Sequence, residues 1–307
     1  MTYSSGNTIL ATDYNTFVGT VNTVCGASAS YASGTGYGES DLATVSASAT
    51  ITAASWGLLI DAVEKAATHQ GTTIVVPATN PAVGSTIEAL DGTTPITGGS
   101  HDLAAAVTAI QTNKDNVDTD EQTTVAASTS NSRSSTWGYG DAAISATIQY
   151  QFTDRTHAEA FFNTGGEIHI TMQHPNGATA QDNDWRDIFN NKIGTLKLGK
   201  TSTSRTGSSG TTPVFGYTGL TSSNQQIFTG YNIGSGVYAA NDVLIAARID
   251  TTNHRIQITV VLYDQHEAIS PSTADNVALG TAVSSGFRKS TQYAPANPTI
   301  SVTETFD

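Results

Sequence analysis

The chain has 307 residues, enough for one large domain or two ordinary ones, and either arrangement can bury a sizeable core. Only 13% of its residues are charged, against roughly 25% in typical soluble domains, and its formal net charge is −13. Such an acidic surface repels nucleic acid and anionic membranes, so we expect no nucleic-acid partner. The sequence has no apolar run of roughly 18 residues, so we also expect no membrane insertion.

The N-terminal residues and the single cysteine limit the kinds of protein and of site that we expect. The first eight residues, MTYSSGNT, lack the basic start and apolar core of a secretion signal. Cys25 excludes an intramolecular disulfide and any multi-cysteine metal site, because it is the one cysteine of the sequence. It lies on the apolar side of a predicted helix, which indicates a buried structural thiol rather than a nucleophile.

The N-terminal third contains three similar segments with helical apolar spacing, residues 8–26, 50–71 and 94–114. In each, an isoleucine precedes a small or hydroxyl residue that can cap a helix. Thr12 is the expected cap of the first helix, and Thr52 or Ser55 is that of the second. The near-regular spacing, 42 residues from Ile9 to Ile51, predicts a unit of one short strand and one helix used three times.

A change of pattern after the helical segments divides the chain. Residues 119–140 are polar, small and unpatterned, which is typical of a linker. They separate a helical, repeat-like assembly region, residues 1–118, from a domain of residues 141–307 with strand-like alternation. We therefore predict an α+β fold, with an N-terminal helical repeat-like region followed by a mainly antiparallel β-sheet or sandwich domain with short helices.

The β domain begins with a strand, a helix and a second strand. The alternation in AISATIQYQF predicts a half-buried strand, and Thr153 or Asp154 can cap the short helix that follows. Gly165 and Gly166 then end the helix, and EIHITMQH resumes the alternation. We expect this second strand to pair with the first.

Histidines and aspartates of this region could suggest a metal site. His169 and His174 are five residues apart, so a regular strand places them on opposite faces, and we expect exposed or hydrogen-bonded imidazoles instead. The sequence QDNDWRDIFNNKIG lacks the glycine at the sixth position and the glutamate at the twelfth that a calcium-binding EF-hand loop requires. A helix capped by Asn183 or Asp184 and ended by Gly194 is the simpler interpretation.

Short strands are predicted in the rest of the chain. TLKLG, PVFGYTGL and QQIFTGYNI are three of them, and NDVLIAARIDTTNHRIQITVVLYDQH is a hairpin in which Val243 opposes Leu262 and Ile249 opposes Ile256. The tail NPTISVTETFD alternates again. It either closes the sheet of its own chain or adds to the exposed edge of a neighbouring subunit.

Several segments resemble a known class of protein. RSSTWGYG, HAEAFFNTGGEIHI, the DNDW helix and IGTLKLG are similar to structural proteins of tailed bacteriophages, especially marine and cyanobacterial ones. TITAASWGLLIDAVEKAATHQG resembles the entry helices of such virion proteins. The resemblance covers roughly residues 50–265. It implies membership in a virion, in the tail, baseplate or fibre apparatus, and it implies no catalytic residue.

The absence of catalytic motifs agrees with a structural function. G-x-S-x-G, H-E-x-x-H and the P-loop do not occur in the sequence, so we predict no enzyme and no cofactor. We expect a virion structural protein, assembled in the host cytoplasm, whose partners are other copies of itself and neighbouring virion proteins. A capsid decoration protein shares the same composition and is an alternative.

A carbohydrate-binding or depolymerising fibre that contacts a host-surface glycan is a further alternative. The aromatic residues that could stack on sugars are Trp137, Tyr217, Tyr231 and Tyr238. The carboxylates that could act as acid or base are Glu159, Glu167 and Asp182, although their spacing does not pair them.

Six residues are the predicted interface sites: Tyr14, Phe17, Trp56 and Leu59 on the N-terminal helices, and Ile300 and Val302 on the C-terminal strand. Each could equally belong to the ordinary core of the chain. If the C-terminal strand is an interface, charged substitutions at Ile300 and Val302 should weaken assembly more than folding of the monomer.

Overall fold

The computed structural model describes residues 10–28, 30–31, 34–75, 80, 82–83, 103–125, 131–139, 141, 143–267, 276–304 and 306. Within them the α-helices are α1 (Ala11–Cys25), α2 (Ala53–Gln70), α3 (Leu103–Thr112), α4 (Arg155–Asn163) and α5 (Ala180–Asp187). The strands are β1 (Gln122–Val125), β2 (Asn131–Ser132), β3 (Trp137–Gly138), β4 (Ile144–Gln151), β5 (Glu167–Gln173), β6 (Thr195–Leu198), β7 (Thr203–Arg205), β8 (Gln225–Gly230), β9 (Asp242–Asp250), β10 (Arg255–Tyr263), β11 (Asn276–Val277), β12 (Ala282–Ser290) and β13 (Thr299–Glu304).

The strands form two main antiparallel sheets. The six-stranded sheet has the order β1-β12-β5-β6-β7, with β2 also beside β12, and the five-stranded sheet has the order β13-β4-β10-β9-β8. Apolar side chains from both sheets form one buried core. The Tyr150 hydroxyl of β4 donates across this core to the backbone carbonyl of His169 on β5, 3.2 Å away. The α+β class with a mainly antiparallel β domain is therefore confirmed.

The three N-terminal helices pack on one another around a second apolar core. Helix α2 begins as predicted, because Thr52 Oγ1 accepts a hydrogen bond from the Ser55 backbone at 3.1 Å. The predicted cap of α1 was wrong. Thr12 lies inside the helix, which begins after Leu10, and the free Leu10 N–H donates to the Asp13 carboxylate at 3.3 Å instead.

Within the described residues, the predicted unit of a strand and a helix is observed only in its helical half. Ile51 lies outside any described strand and packs against the helical core. Its apolar side chain is therefore half-buried against helices rather than in a sheet. Ile9 and residues 94–102, which belong to the predicted strands of the other two copies, lie outside the described residues.

The segment predicted as a linker, residues 119–140, is built into the β structure where it is described. Strands β1 and β2 both pair with β12, and β3 pairs with β11. Trp137 of β3 is buried in the main core. The linker prediction fails here because strands of two to four residues are too short to show a period-2 pattern, while pairing with distant strands supplies their hydrogen bonds.

The strand, helix and strand that open the β domain are present, but their pairing was wrongly predicted. Asp154 caps α4 by accepting from the His157 backbone at 2.9 Å, and Gly165 follows the helix with a φ of +78°. Strand β5 then pairs with β6 and β12, whereas β4 pairs with β10 and β13. Helix α4 carries the chain from one sheet to the other, so β4 and β5 face each other across the core.

Helix α5 starts earlier than predicted. Its cap is Thr179, whose Oγ1 accepts from the Asp182 backbone at 3.1 Å, so Asn183 and Asp184 lie inside the helix. The helix continues into a π-helical turn, Ile188–Ile193, and ends at Gly194 as expected. The predicted start was wrong because a threonine three residues before an aspartate competes better for the free backbone groups of the first turn.

The later strands that the sequence predicts are present with one exception, whereas β7, β11 and β12 were not predicted. PVFGYTGL forms no strand, and its Tyr217–Gly219 portion is a 3₁₀ turn. In the β9–β10 hairpin, Ile249 lies opposite Ile256 and Val243 opposite Leu262, as predicted. Strand β13 pairs with β4 of its own chain, so the tail extends its own sheet.

The helices and the sheets meet at an aromatic joint formed by Tyr37, His69 and Tyr293. The ring of His69 lies 5.1 Å from the rings of both tyrosines, and the tyrosine rings are 4.6 Å apart. Cys25 Sγ lies 3.7 Å from the Tyr293 hydroxyl, and burial raises the pKa of Cys25 to about 11. The cysteine is therefore the buried, unreactive thiol that the sequence predicts.

Candidate functional site

A group of side chains with catalytic geometry lies where β5, α5 and the start of β12 meet. His174 follows β5, and its Nε2 is 3.0 Å from Asp182 Oδ1 of α5. Its Nδ1 is 3.1 Å from the Thr281 hydroxyl, just before β12. The indole N–H of Trp137 on β3 donates to the same hydroxyl at 3.0 Å. Carboxylate, imidazole and hydroxyl are thus in the order of a catalytic triad.

Local sequence explains the position of Asp182. It stands three residues after Thr179, and its Oδ2 accepts from the Thr179 backbone at 3.0 Å, which completes a capping box. The Ala278 backbone donates to Oδ1 at 2.8 Å. Burial raises the pKa of Asp182, but hydrogen bonds from Ala278, Thr179 and His174 outweigh it, so the pKa lies below its ordinary value. The group is therefore a carboxylate at neutral pH.

The protonation of His174 follows from its surroundings. Burial lowers the pKa of His174 by more than the neighbouring Asp182 raises it, so the imidazole is neutral at neutral pH. A carboxylate only accepts, so the single ring proton is on Nε2, toward Asp182. Nδ1 then accepts from Thr281, whose oxygen accepts from Trp137. The four groups form one chain in which every donor has an acceptor.

The same group is closed to substrate. The relative exposure of Thr281 is 0% and that of His174 is 2%. A base and a nucleophile must come within hydrogen-bond distance of a reacting atom, which these side chains cannot do where they lie. The arrangement instead joins β3, β5, α5 and β12 through buried and satisfied hydrogen bonds, and each of these stabilises the fold.

Sequence reasoning did not find this group. The Thr-x-x-Asp spacing of Thr179 and Asp182 was a usable signal for the capping box and the helix start. No local pattern connects His174 to Thr281, which lies 107 residues further along the chain. Such a contact depends on the pairing of β5 with β12, which the sequence alone did not predict.

The carboxylates named as possible acids or bases are each engaged by another side chain. The Tyr217 hydroxyl donates to buried Glu159 at 2.6 Å. Glu167 lies 3.1 Å from His169 and 3.2 Å from Arg288 on the outer face of the six-stranded sheet. Burial raises the pKa of Glu167, but the contacts with His169 and Arg288 lower this pKa by a larger amount. Glu167 therefore stays ionised at neutral pH. These are ion pairs and hydrogen bonds of the kind that hold neighbouring elements together.

The structure separates the six predicted interface residues into two sets. Tyr14, Phe17, Trp56 and Leu59 are buried in the helical core of their own chain, so their side chains are not surface groups. Ile300 and Val302 are half-buried on β13, where they pack against the main core. An interface at this strand stays a prediction, and its side chains contribute to folding as well.

The four aromatic residues considered for sugar stacking differ in their exposure to solvent. Trp137, Tyr217 and Tyr238 are buried in the chain and cannot stack on a ligand where they lie. Tyr231 is 64% exposed. The distinction could not be read from the sequence, because all four lie near glycine, serine or threonine in segments with weak periodicity.

Among the described residues, no three or more histidine, cysteine, aspartate or glutamate side chains come together in a way that could hold a metal ion. No helix in the described ranges is long and apolar enough to cross a membrane. Comparison of the chain with protein-family models, curated proteins and solved structures gives no match.

Proposed function

We propose that this chain is a non-enzymatic structural protein of a tailed-bacteriophage virion, in the tail, baseplate or fibre apparatus, and that it assembles in multiple copies. The observation that carries the assembly function is the terminal position of β13 in the five-stranded sheet. Its inner edge pairs with β4, and within the described strands no other strand pairs with its outer edge. A free strand edge can pair with another chain.

Two further features support a structural rather than a catalytic function. The Asp182–His174–Thr281 group has the order of a catalytic triad but is sealed from solvent. The low charge content leaves a surface rich in hydroxyl and amide groups, which can form contacts with other subunits without removing many charges from water. The assignment to a virion rests on the resemblance of the sequence segments.

Assembly can be tested by placing a charged side chain at the outer edge of β13. Thr303 lies on β13 and is exposed, so Thr303→Lys adds a cation there without removing core packing. Lysine at an edge strand opposes pairing with another chain. We expect wild-type protein to form oligomers in light-scattering measurements over a range of concentrations, and Thr303→Lys to shift the mass toward the monomer.

Thr252→Lys is the matched control, because Thr252 is exposed in the turn between β9 and β10, away from the edge. This variant should keep the wild-type mass. Equal masses for wild type and Thr303→Lys would show that the edge of β13 does not form the contact between subunits. A wild-type monomer at every concentration would contradict self-assembly in solution. Removing residues 1–132 is a poorer test, since it would also delete β1 and β2 from the six-stranded sheet.

A further inference from the structure

One end of the five-stranded sheet carries two solvent-exposed tyrosines beside a carboxylate. Tyr263 ends β10 and lies directly opposite Asp242, the first residue of β9. Gly230 of β8 lies opposite Val243, so Tyr231 follows at the level of Asp242. The exposed fractions are 64% for Tyr231 and 37% for Tyr263. We call Tyr231, Asp242 and Tyr263 the tyrosine row.

We propose that the tyrosine row binds a neutral saccharide. Neighbouring strands are about 4.8 Å apart, so residues on β8 and β10 are separated by roughly 10 Å, and two rings at this spacing can contact different residues of one oligosaccharide. Tyrosine offers a large, rigid, amphipathic contact area that loses little conformational entropy on binding. The C–H faces of a sugar can stack on such rings.

Hydrogen-bonding groups for sugar hydroxyls are held between and beside the rings. Asp242 Oδ1 accepts from the Asn232 backbone at 2.7 Å, and its Oδ2 accepts from the Gln265 amide. A carboxylate has about four acceptor sites, so Asp242 can still accept from a ligand hydroxyl. The side chains of Asn232 and Gln265 are themselves exposed and can donate or accept.

The layer beneath the row keeps these groups in place. The Gln265 backbone donates to Asn241 Oδ1 at 3.1 Å, and Asn241 is buried. The ring of Tyr238 meets that of His266 edge-on at a centroid distance of 4.6 Å. Side chains that are already ordered before binding lose less entropy when a ligand arrives, which favours affinity.

Charge selects the kind of saccharide. Asp242 lies in the middle of the row, and the whole chain has a formal net charge of −13. An acidic polysaccharide would be repelled by both, whereas a neutral one would not. This inference names a partner for the proposed virion protein, but the site depends only on the tyrosine row and does not require assembly through β13.

The test is affinity electrophoresis in native gels that contain laminarin, xylan or galactomannan as neutral polymers, or alginate as an anionic one. We expect at least one neutral polymer to retard the wild-type protein and alginate not to do so. Tyr231→Ala and Tyr263→Ala should each weaken binding by about tenfold, the loss associated with removing one aromatic anchor. Tyr231→Phe should bind almost as wild type, because the ring is kept.

Leu58→Ala is the control for loss of an exposed apolar side chain elsewhere, since Leu58 is 59% exposed on α2. It should leave retardation unchanged. Melting temperatures should be unchanged for Tyr231→Ala, which removes an exposed ring. Retardation that persists in both alanine variants, retardation by alginate alone, or no retardation by any of the three neutral polymers would overturn the proposal.

Light scattering on the same samples separates this inference from the proposed assembly. Oligomers that do not bind a neutral polymer would contradict the saccharide site alone. A monomer that binds the polymer would contradict self-assembly alone. A fall in oligomer mass in Tyr231→Ala without any polymer binding would make the occupant of the tyrosine row a second copy of the chain, which also overturns the saccharide proposal.

Discussion

His69, at the end of α2, illustrates how one buried residue sets a pH dependence. It is fully buried in the aromatic joint, where its Nδ1 lies 3.4 Å from the Ser290 hydroxyl. Burial lowers the pKa of His69 to about 4; the charge of Lys65 also lowers it, and that of Asp118 raises it. The charged form is therefore disfavoured in the folded protein and not in the unfolded chain.

We predict that acidification destabilises the protein through His69. Above pH 6.5 both states carry a neutral imidazole, whereas between pH 6.5 and about 4 only the unfolded chain takes up the proton. The free energy of unfolding should fall across this window, by on the order of 3 kcal/mol for this residue. Urea unfolding at several pH values should show a smaller fall for His69→Gln, and an equal fall would contradict the assignment.

Asp182 should control a separate window at lower pH. Its folded pKa lies below the ordinary value of 3.8, so its stabilising contribution is present above pH 3.8 and is lost as the pH falls through the folded pKa. We predict that Asp182→Asn lowers the free energy of unfolding at pH 7 by about 2–3 kcal/mol, because several hydrogen bonds to a buried charge are weakened.

The acid limb of the urea-derived stability curve should also flatten in Asp182→Asn. Asp61→Asn is a matched control, since Asp61 is exposed on α2 and should change the stability at pH 7 only slightly. If both variants lost the same stability, the buried hydrogen bonds of Asp182 would not be what stabilises the meeting point of β5 and α5.

At the scale of elements, the loop between α1 and α2 fastens the helices to the β domain. Asn163 at the end of α4 donates to the Gly36 carbonyl at 2.9 Å, and Tyr31 is hydrogen-bonded to His254 in the β9–β10 turn. Gly38 of this loop has a φ of +86° and passes close to Ala160 of α4. The contact therefore needs a residue without a side chain at Gly38.

We predict opposite effects for alanine at two glycines. At Gly38 an added Cβ would lie 2.6 Å from the Ala160 Cβ, so Gly38→Ala should lower the free energy of unfolding by about 2–3 kcal/mol. At Gly19, inside α1, an added Cβ meets nothing within 4 Å. Gly19→Ala should therefore raise the free energy of unfolding by about 0.5–1 kcal/mol. Urea denaturation measures both, and a neutral Gly38→Ala would mean that the loop does not pack closely on α4.

At the scale of the whole molecule, one aromatic residue joins the helical core to the end of β12. Tyr293 lies beyond β12, yet its ring belongs to the helical core. Lys65 of α2 places its ammonium 4.5 Å from the centre of this ring, which adds a cation–π contact. The helical core is therefore coupled to the six-stranded sheet through a residue that follows strand β12.

We predict that Tyr293→Ala uncouples the helical core from the β domain. Loss of a buried aromatic ring should cost about 3–5 kcal/mol, and the loss falls where the helical core meets the end of β12. Thermal unfolding of wild type should give one transition by far-ultraviolet and near-ultraviolet circular dichroism, and Tyr293→Ala should give two. Tyr231→Ala, which removes an exposed ring, should keep one transition. A single transition in Tyr293→Ala would show that other contacts maintain the coupling.

The sequence by itself determined the elements whose pattern is local and long. The apolar stripes of α1 and α2 and the alternation of β4, β5, β9 and β10 are each set by residues within one element. The register of the β9–β10 hairpin was also predictable, because a four-residue turn leaves little freedom in how its strands pair. The buried state of Cys25 followed from its place on a helical stripe.

Only the tertiary structure decided which elements meet. The pairing of β5 with β12 rather than β4, and the insertion of residues 122–125 as an edge strand, depend on contacts between segments far apart in the chain. The same holds for the Asp182–His174–Thr281 group and for the tyrosine row. Periodicity shows which face of a strand is buried, but neither which strand lies beside it nor which polar groups approach from a distant segment.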